Sequence, residues 1–268
     1  DAADVISKSF LDALSSHCKS KKSDFWLMGE VVHGDYNDWA KPYRLDSVTN
    51  YQIYKALWSA LNDKNFFELS YNLNREFGEN GMYKSFLPYN FLDNHDVNRI
   101  RSNIKSKEHL FLLYALLFLI PGLPSIYYGS EMGIKGERNN QGDFQLRPSL
   151  PPFSKMPDFA KTDVDSFSLE KTIKDFSKIR QNQIALQLGD YKELSVSNET
   201  FAFARSYNKE KILVAVNAST EGKEVSIGKN HWGYGENLLT GEKMQFGEKV
   251  FVPGNWIFVG KVDDVNII

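Results

Sequence analysis

Two stretches constrain this chain most: Asp24-Phe25-Trp26-Leu27-Met28-Gly29-Glu30 and Tyr89-Asn90-Phe91-Leu92-Asp93-Asn94-His95-Asp96. Each is an apolar, aromatic run with the composition of a buried strand, and each delivers an acid at its C-terminal end. Helical periodicity fills much of the sequence between and around them, so the chain reads as strands alternating with helices, the signature of a parallel sheet. In an α/β barrel the C-terminal strand ends form one face, where side chains far apart in sequence meet.

Periodicity predicts helices over residues 3–20, 51–61, 65–77, 107–120 and 165–188, the last ended by Gly189. Strands are expected at 24–32, 46–51, 86–93 and 125–128. The loop 33–46, rich in Gly, Asp, Asn, Trp and Pro, and the long Pro-rich loop 129–164 are expected to wall a site. From about residue 191 the pattern changes to short β runs (200–207, 212–216, 225–227 and 250–259) separated by turn clusters. The expected division is therefore 1–190 for the alternating part and 191–268 for a small antiparallel β domain.

Two carboxylates converging from different strands suit glycoside hydrolysis, in which one donates a proton and the other acts as nucleophile or base. Phe91-Leu92-Asp93-Asn94-His95-Asp96 resembles the F-x-x-N-H-D segment of the α-amylase family of glycoside hydrolases, and Gly29-Glu30-Val31 resembles that family's acid/base segment. Asp1-Ala2-Ala3-Asp4-Val5 is similar to its nucleophile segment. Pro121-Gly122-Leu123-Pro124-Ser125-Ile126-Tyr127-Tyr128-Gly129-Ser130-Glu131 is similar to its last barrel strand, with Arg147-Pro148 in the loop that follows. The four matches stand in the family's order.

The resemblance implies the C-terminal half of a (β/α)8 TIM barrel, beginning at the end of the fourth strand, followed by a β-sandwich domain. It implies a retaining enzyme acting on α-1,4-glucans such as starch and maltodextrins. Asp1 would be the nucleophile and Glu30 the acid/base, with a pKa raised by partial burial and a nearby ionised Asp. Asp96 would stabilise the transition state, with Asn94 and His95 holding sugar hydroxyls. Two rivals stand beside this reading: an α-glucanotransferase of the same family, and an inactive carbohydrate-binding or assembly fragment. Calcium is expected only through the missing N-terminal half, since many relatives carry Lys-His where this chain has Asp4-Val5. That missing half is also expected as a partner, without which the open sheet edges would self-associate.

Other candidates are open to more than one reading. Arg99 could meet a substrate-loop carboxylate or form an ordinary surface ion pair. His33, Asp35, Tyr36 and Trp39 could line a sugar subsite or serve the loop's own packing. Glu137, Arg138, Asn139, Asn140 and Arg147 lie in the loop that would reach the leaving group, and Tyr127 and Tyr128 read as core and rim of the last strand.

Composition excludes several classes. With 32 basic and 34 acidic residues, net charge −2, the chain has no footprint for nucleic acid or an anionic membrane, and a neutral oligosaccharide is the easier partner. The apolar run 110–120 is too short to span a bilayer. No zinc or EF-hand spacing occurs. The single cysteine, Cys18, permits no intrachain disulfide and leans towards a cytoplasmic setting. Asn198-Glu199-Thr200 and Asn217-Ala218-Ser219 match a glycosylation acceptor pattern that is common by chance.

Overall fold

The computed structural model describes residues 1–140, 142–152, 155, 162–229 and 232–263. Part of the 129–164 loop expected as a wall therefore lies outside the described residues.

The first part is a short parallel sheet with helices packed on it. Strands β1 (Met28–Gly29), β2 (Ser47–Val48), β3 (Tyr89–Asn90) and β4 (Leu123–Pro124) pair in chain order: β1 with β2, β3 with β4, and a Thr49–Tyr89 bridge between the pairs. The expected runs 24–32 and 86–93 thus form ladders of only two residues. The last strand falls at 123–124, ahead of the expected 125–128, because Leu123 N–H bonds to Pro88 O (2.8 Å) and Ser125 N–H to Asn90 O (2.9 Å).

Helices follow the strands. Residues 3–5 form a 3-10 turn, and α1 (Lys8–Lys21) starts only after Ser7, whose hydroxyl accepts from Phe10 N. Helix α2 (Tyr51–Asn62) begins at the Asn50 cap, whose Oδ1 accepts from Ile53 N at 3.1 Å, and buries Ile53, Ala56, Leu57, Ala60 and Leu61 at helical spacing. Helix α3 (Phe66–Phe77) stops at Gly78, α4 (Ile100–Asn103) is a single turn, and α5 (Glu108–Leu119) is apolar on every side. Such a helix must be covered all round. It packs against α2, α6 (Ser166–Asn182) and residues 256–262 of the C-terminal sheet.

The helix expected over 165–188 breaks at Gln183 into α6 and α7 (Ile184–Leu188). Gln183 is extended, and the Ala185 N–H freed by the break donates to Glu210 Oε1 (2.8 Å), while Lys261 Nζ donates to the Gln183 side chain at Oε1 (2.9 Å).

The C-terminal region is an antiparallel sheet. Strands β5 (Asp190–Val196), β6 (Thr200–Tyr207), β7 (Glu210–Asn217), β9 (Gly233–Asn237), β10 (Lys243–Phe246) and β12 (Trp256–Val262) pair in the order β10-β9-β12-β7-β6-β5. A two-stranded sheet of β8 (Lys223–Ser226) and β11 (Lys249–Val252) covers one face. Alternation assigns side chains to two cores: Phe201, Phe203, Ile212, Val214 and Val216 face the helices, while Ala202, Ala204, Leu213 and Ala215 face β8 and β11. Asn217 is fully buried, its amide bonded to the Glu221, Val252 and Pro253 carbonyls, so it is no glycosylation acceptor in this fold. No helix among the described residues is long and apolar enough to cross a membrane.

Candidate active site

Three acids are brought to one rim of the parallel sheet by backbone pairing. Ala3 N–H bonds to Glu30 O at 2.8 Å, which lays the Asp1 segment alongside the end of β1. This approach needs small residues on both sides. A Cβ on Gly29 would lie 2.8 Å from the Ala3 Cβ and 2.5 Å from Leu45 Cδ1, so the Gly before Glu30 and the small residue at Ala3 are one packing requirement. On the next strand the Thr49 hydroxyl accepts from Val31 N (2.9 Å) and donates to Val31 O (3.0 Å), fixing the backbone just past Glu30.

The turn after β3 supplies the third acid. Asn94 Oδ1 accepts from Asp96 N (2.9 Å) and Val97 N (3.1 Å), an Asx turn that aims Asp96 at the same spot. Asp1, Glu30, His95 and Asp96 then each bring one oxygen or ring nitrogen within 4.8 Å of the others. Asp1, Glu30 and His95 line a cleft of about 200 Å³ together with Tyr89, Phe91, Ile126 and Tyr127, and Asp96 stands next to them. His95 Nε2 lies 3.3 Å from Asp96 Oδ2 and 3.7 Å from Asp1 Oδ1. Arg147 closes the outer side, with Nη2 on Asp96 Oδ1 at 2.7 Å and Nε on His95 O at 3.0 Å.

Glu30 is the buried member, 8% exposed, whereas the Asp1 side chain is 76% exposed. Burial pushes the Glu30 carboxyl up, but hydrogen bonds from Tyr51 and Ala2, then the nearby His95 and the chain's amino group, outweigh it and hold it below 4.5. The sequence expectation was a raised value. It is reversed because both carboxyl oxygens have donors: Tyr51 Oη gives to Oε1 (2.6 Å) and Ala2 N to Oε2 (3.1 Å).

The family profile for the alpha amylase catalytic domain matches residues 6–195, and that for the alpha-amylase C-terminal domain matches residues 189–245. The chain belongs to the α-amylase family. A cyclomaltodextrinase from Geobacillus thermopakistaniensis is 25% identical over 253 residues, 91% of this chain and 40% of the relative. A 4-alpha-glucanotransferase from Thermotoga neapolitana is 34% identical over 116 residues, 42% of this chain and 24% of the relative. The crystal structure of the α-amylase from Geobacillus thermoleovorans, complexed with acarbose, superposes with a TM-score of 0.81 at 22% identity, covering 99% of this chain and 59% of that one. That likeness speaks for the fold. The chain thus spans about two fifths of the length of the cyclomaltodextrinase it matches.

Within this α-amylase-family fold, the residues singled out from sequence divide. Asp1, Glu30, Asn94, His95, Asp96 and Arg147 come together. Three others do not reach the cleft as sugar contacts. Tyr36 is fully buried, stacked on Tyr83 with ring centroids 5.2 Å apart, and its hydroxyl accepts from Tyr51 N at 3.2 Å. Trp39 packs on the core beneath Lys8, whose Nζ is 5.0 Å from the ring. Among the described residues, Arg99 is neither in a surface ion pair nor bonded to a carboxylate. Fully buried, it donates to Tyr128 O and the Ser130 hydroxyl, and its guanidinium lies 4.2 Å from the Tyr127 ring and 4.9 Å from the Tyr128 ring. His33 is exposed and lines a neighbouring groove with Tyr51, Tyr54 and Trp58.

Tyr51 and Asp93 escaped the sequence reading. The signal for Tyr51 was present: an Asn cap at the end of a strand puts the first helical side chain at the active rim. Asp93 stands in the same run as Asp96 but turns inward, accepting from Ser130 Oγ (2.7 Å) and Ile100 N (2.8 Å), and burial pushes it up to about 6.

The Asp1, Glu30, His95 and Asp96 cluster does not suit calcium. That ion takes six to eight oxygens, whereas both Glu30 oxygens and Asp96 Oδ1 already accept hydrogen bonds, and His95 offers nitrogen. No other group of three or more such side chains occurs among the described residues.

Proposed function

We propose that this chain is the C-terminal part of a retaining enzyme that cleaves α-1,4-glucans by double displacement, residues 1–190 supplying half of an eight-stranded barrel and 191–268 its β-sandwich domain. Asp1 attacks the anomeric carbon, Glu30 protonates the leaving oxygen and later deprotonates water, and Asp96 with His95 steadies the charge on the sugar. One observation carries the reading: oxygens of Asp1 and Glu30 lie within 4.8 Å of each other. That matches the roughly 5 to 5.5 Å of retaining enzymes and not the roughly 6.5 to 9.5 Å that leaves room for an inverting water.

Glu30 must carry a proton before it can act as an acid, and in the open cleft its charged form is favoured. A glucan filling the cleft would remove water from Glu30 and raise its proton affinity. Joining preceding residues to Asp1 would act in the same direction, turning the cationic amine into a neutral amide. The names of the relatives span hydrolysis and transfer, and the two differ in whether water or a second sugar takes the glycosyl group.

The test uses the longer enzyme that includes the first barrel strands, with maltoheptaose as substrate and NMR to follow the anomer released. Cleavage that first yields the α-anomer is expected. Glu30→Gln should lower kcat by roughly 10²- to 10⁴-fold with little change in oligosaccharide binding. Unchanged turnover in that variant would remove Glu30 from its role, and no cleavage or transfer by the parent would favour a sugar-binding or assembly role.

A further inference from the structure

The Tyr51 hydroxyl joins two parts of the site that come from different strands. It donates to Glu30 Oε1 at 2.6 Å and accepts from Asn94 Nδ2 at 2.9 Å, so it bridges the acid after β1 and the Asn94-His95-Asp96 turn after β3. Its ring stands edge-on to Phe91 (centroids 5.0 Å, planes 79° apart) and to Tyr54 (6.1 Å, 82°). As the first residue of α2, its backbone N–H has no partner within the helix, and the buried Tyr36 hydroxyl takes it at 3.2 Å. The adjacent cap, Asn50, is held in turn by buried Glu76 at 2.7 Å. The phenol is fixed at its backbone, its ring and its oxygen.

A phenol donating to a carboxylate oxygen binds the charged form more strongly than the neutral acid, because a protonated carboxyl is the poorer acceptor. The Asn94 amide, donating to the same phenol oxygen, polarises the O–H and makes it a stronger donor. The other donor to Glu30, Ala2 N–H, is backbone that Ala3 pairing already anchors. Tyr51 is therefore the side chain that ties the orientation of Glu30 to its protonation.

We propose that Tyr51 is a positioning residue for Glu30, holding the carboxyl at the mouth of the cleft, favouring its charged form and linking it to the turn that carries Asp96. The mechanistic meaning of this rests on the acid/base role proposed for Glu30. The other charged groups facing Glu30 are Asp1 with its amine from the N-terminal segment, and His95 and Asp96 from the turn after β3. The bonds of the Tyr51 hydroxyl run to Glu30 and Asn94 rather than to these groups.

The experiment is a ¹³C NMR titration of the Glu30 side-chain carboxyl in the longer enzyme that includes the first barrel strands, with Glu30→Gln used to assign the signal. Tyr51→Phe keeps the ring and should raise the midpoint by about one pH unit, the size expected for one hydrogen bond to a charged group. Fluorotyrosine at position 51, a stronger donor of nearly the same size, should move it the opposite way and decides the matter if Tyr51→Phe folds poorly. A midpoint that stays in place on changing the donor overturns the proposal. The titration needs no sugar, so an enzyme that fails to cleave glucans leaves this coupling standing, and an unmoved midpoint beside normal cleavage overturns the coupling alone.

Discussion

Glu76 carries a carboxyl into a fully buried position with one hydrogen bond, from Asn50, and with Oε1 unpartnered. Burial pushes it up to about 7 from an ordinary 4.5. Between those two values the unfolded chain binds fewer protons than the folded one, so stability falls as pH rises from about 4.5 to about 7 and then levels off. The loss is on the order of 3 kcal/mol. Glu76→Gln keeps an oxygen for Asn50 and removes the charge, so denaturant melts should show it more stable than the parent above pH 7 and flatter across that window. Equal stabilities at pH 8 would contradict the burial argument. Glu76 was not legible in sequence, because a charged residue in a helix reads as a solvated face until the packing around it is known. Asp96 was legible and Asp93 was not separated from it, since both stand at the end of one apolar run and only the Asx turn at Asn94 distinguishes inward from outward.

At the scale of elements, three of the five expected helices fall where their long periodicity put them: α2, α3 and α5 start and stop within a residue of expectation, at an Asn cap, a Gly stop and a Pro stop, whereas the one expected over 3–20 starts at Lys8 and the one over 165–188 breaks at Gln183. Strands were overextended. An apolar run shows that a segment is buried but not how many of its peptide groups find a partner, and here β1 to β4 pair over two residues each. The step into β4 depends on Gly122, with φ at +111°, where a Cβ would lie 2.4 Å from Asn90 Nδ2 and 2.8 Å from Pro88 O. Gly122→Ala should cost about 2 to 4 kcal/mol by strain and by disturbing the Asn90 bond to Pro121 O, measured as a shift in the urea midpoint. A shift below a few tenths of a kcal/mol would show that the turn can relax. Helix α5 illustrates what no local pattern shows. Its last carbonyls are capped by Arg180, which reaches Phe118 O and Ile120 O, and by Arg205 from β6, which reaches Leu119 O, so the C-terminal sheet is fastened to the end of α5.

At the scale of the whole molecule, apolar surface gathers at both ends of the parallel sheet. On the β1 side Val5 is 82% exposed and Phe10 56%, although their spacing in sequence reads as core. On the β4 side a hollow of about 770 Å³ along α6 has an apolar part made by Phe118, Pro124, Ile126, Phe167 and Ile173 and a charged flank that includes Glu170, Lys171 and Lys174. Both ends are where we propose that the first half of the barrel packs. The chain on its own should then self-associate in sedimentation velocity, and supplying the preceding residues should return it to one well-defined species. A monodisperse monomer of the chain alone would contradict this. The central claim is the convergence of Asp1, Glu30 and Asp96 for retaining chemistry, and it is met most directly by trapping the glycosyl intermediate. The longer enzyme would be treated with a 5-fluoro-α-maltosyl fluoride and its peptides read by mass spectrometry. The account predicts a sugar adduct on Asp1. An adduct on another carboxylate, or turnover with inversion and no adduct, would contradict it.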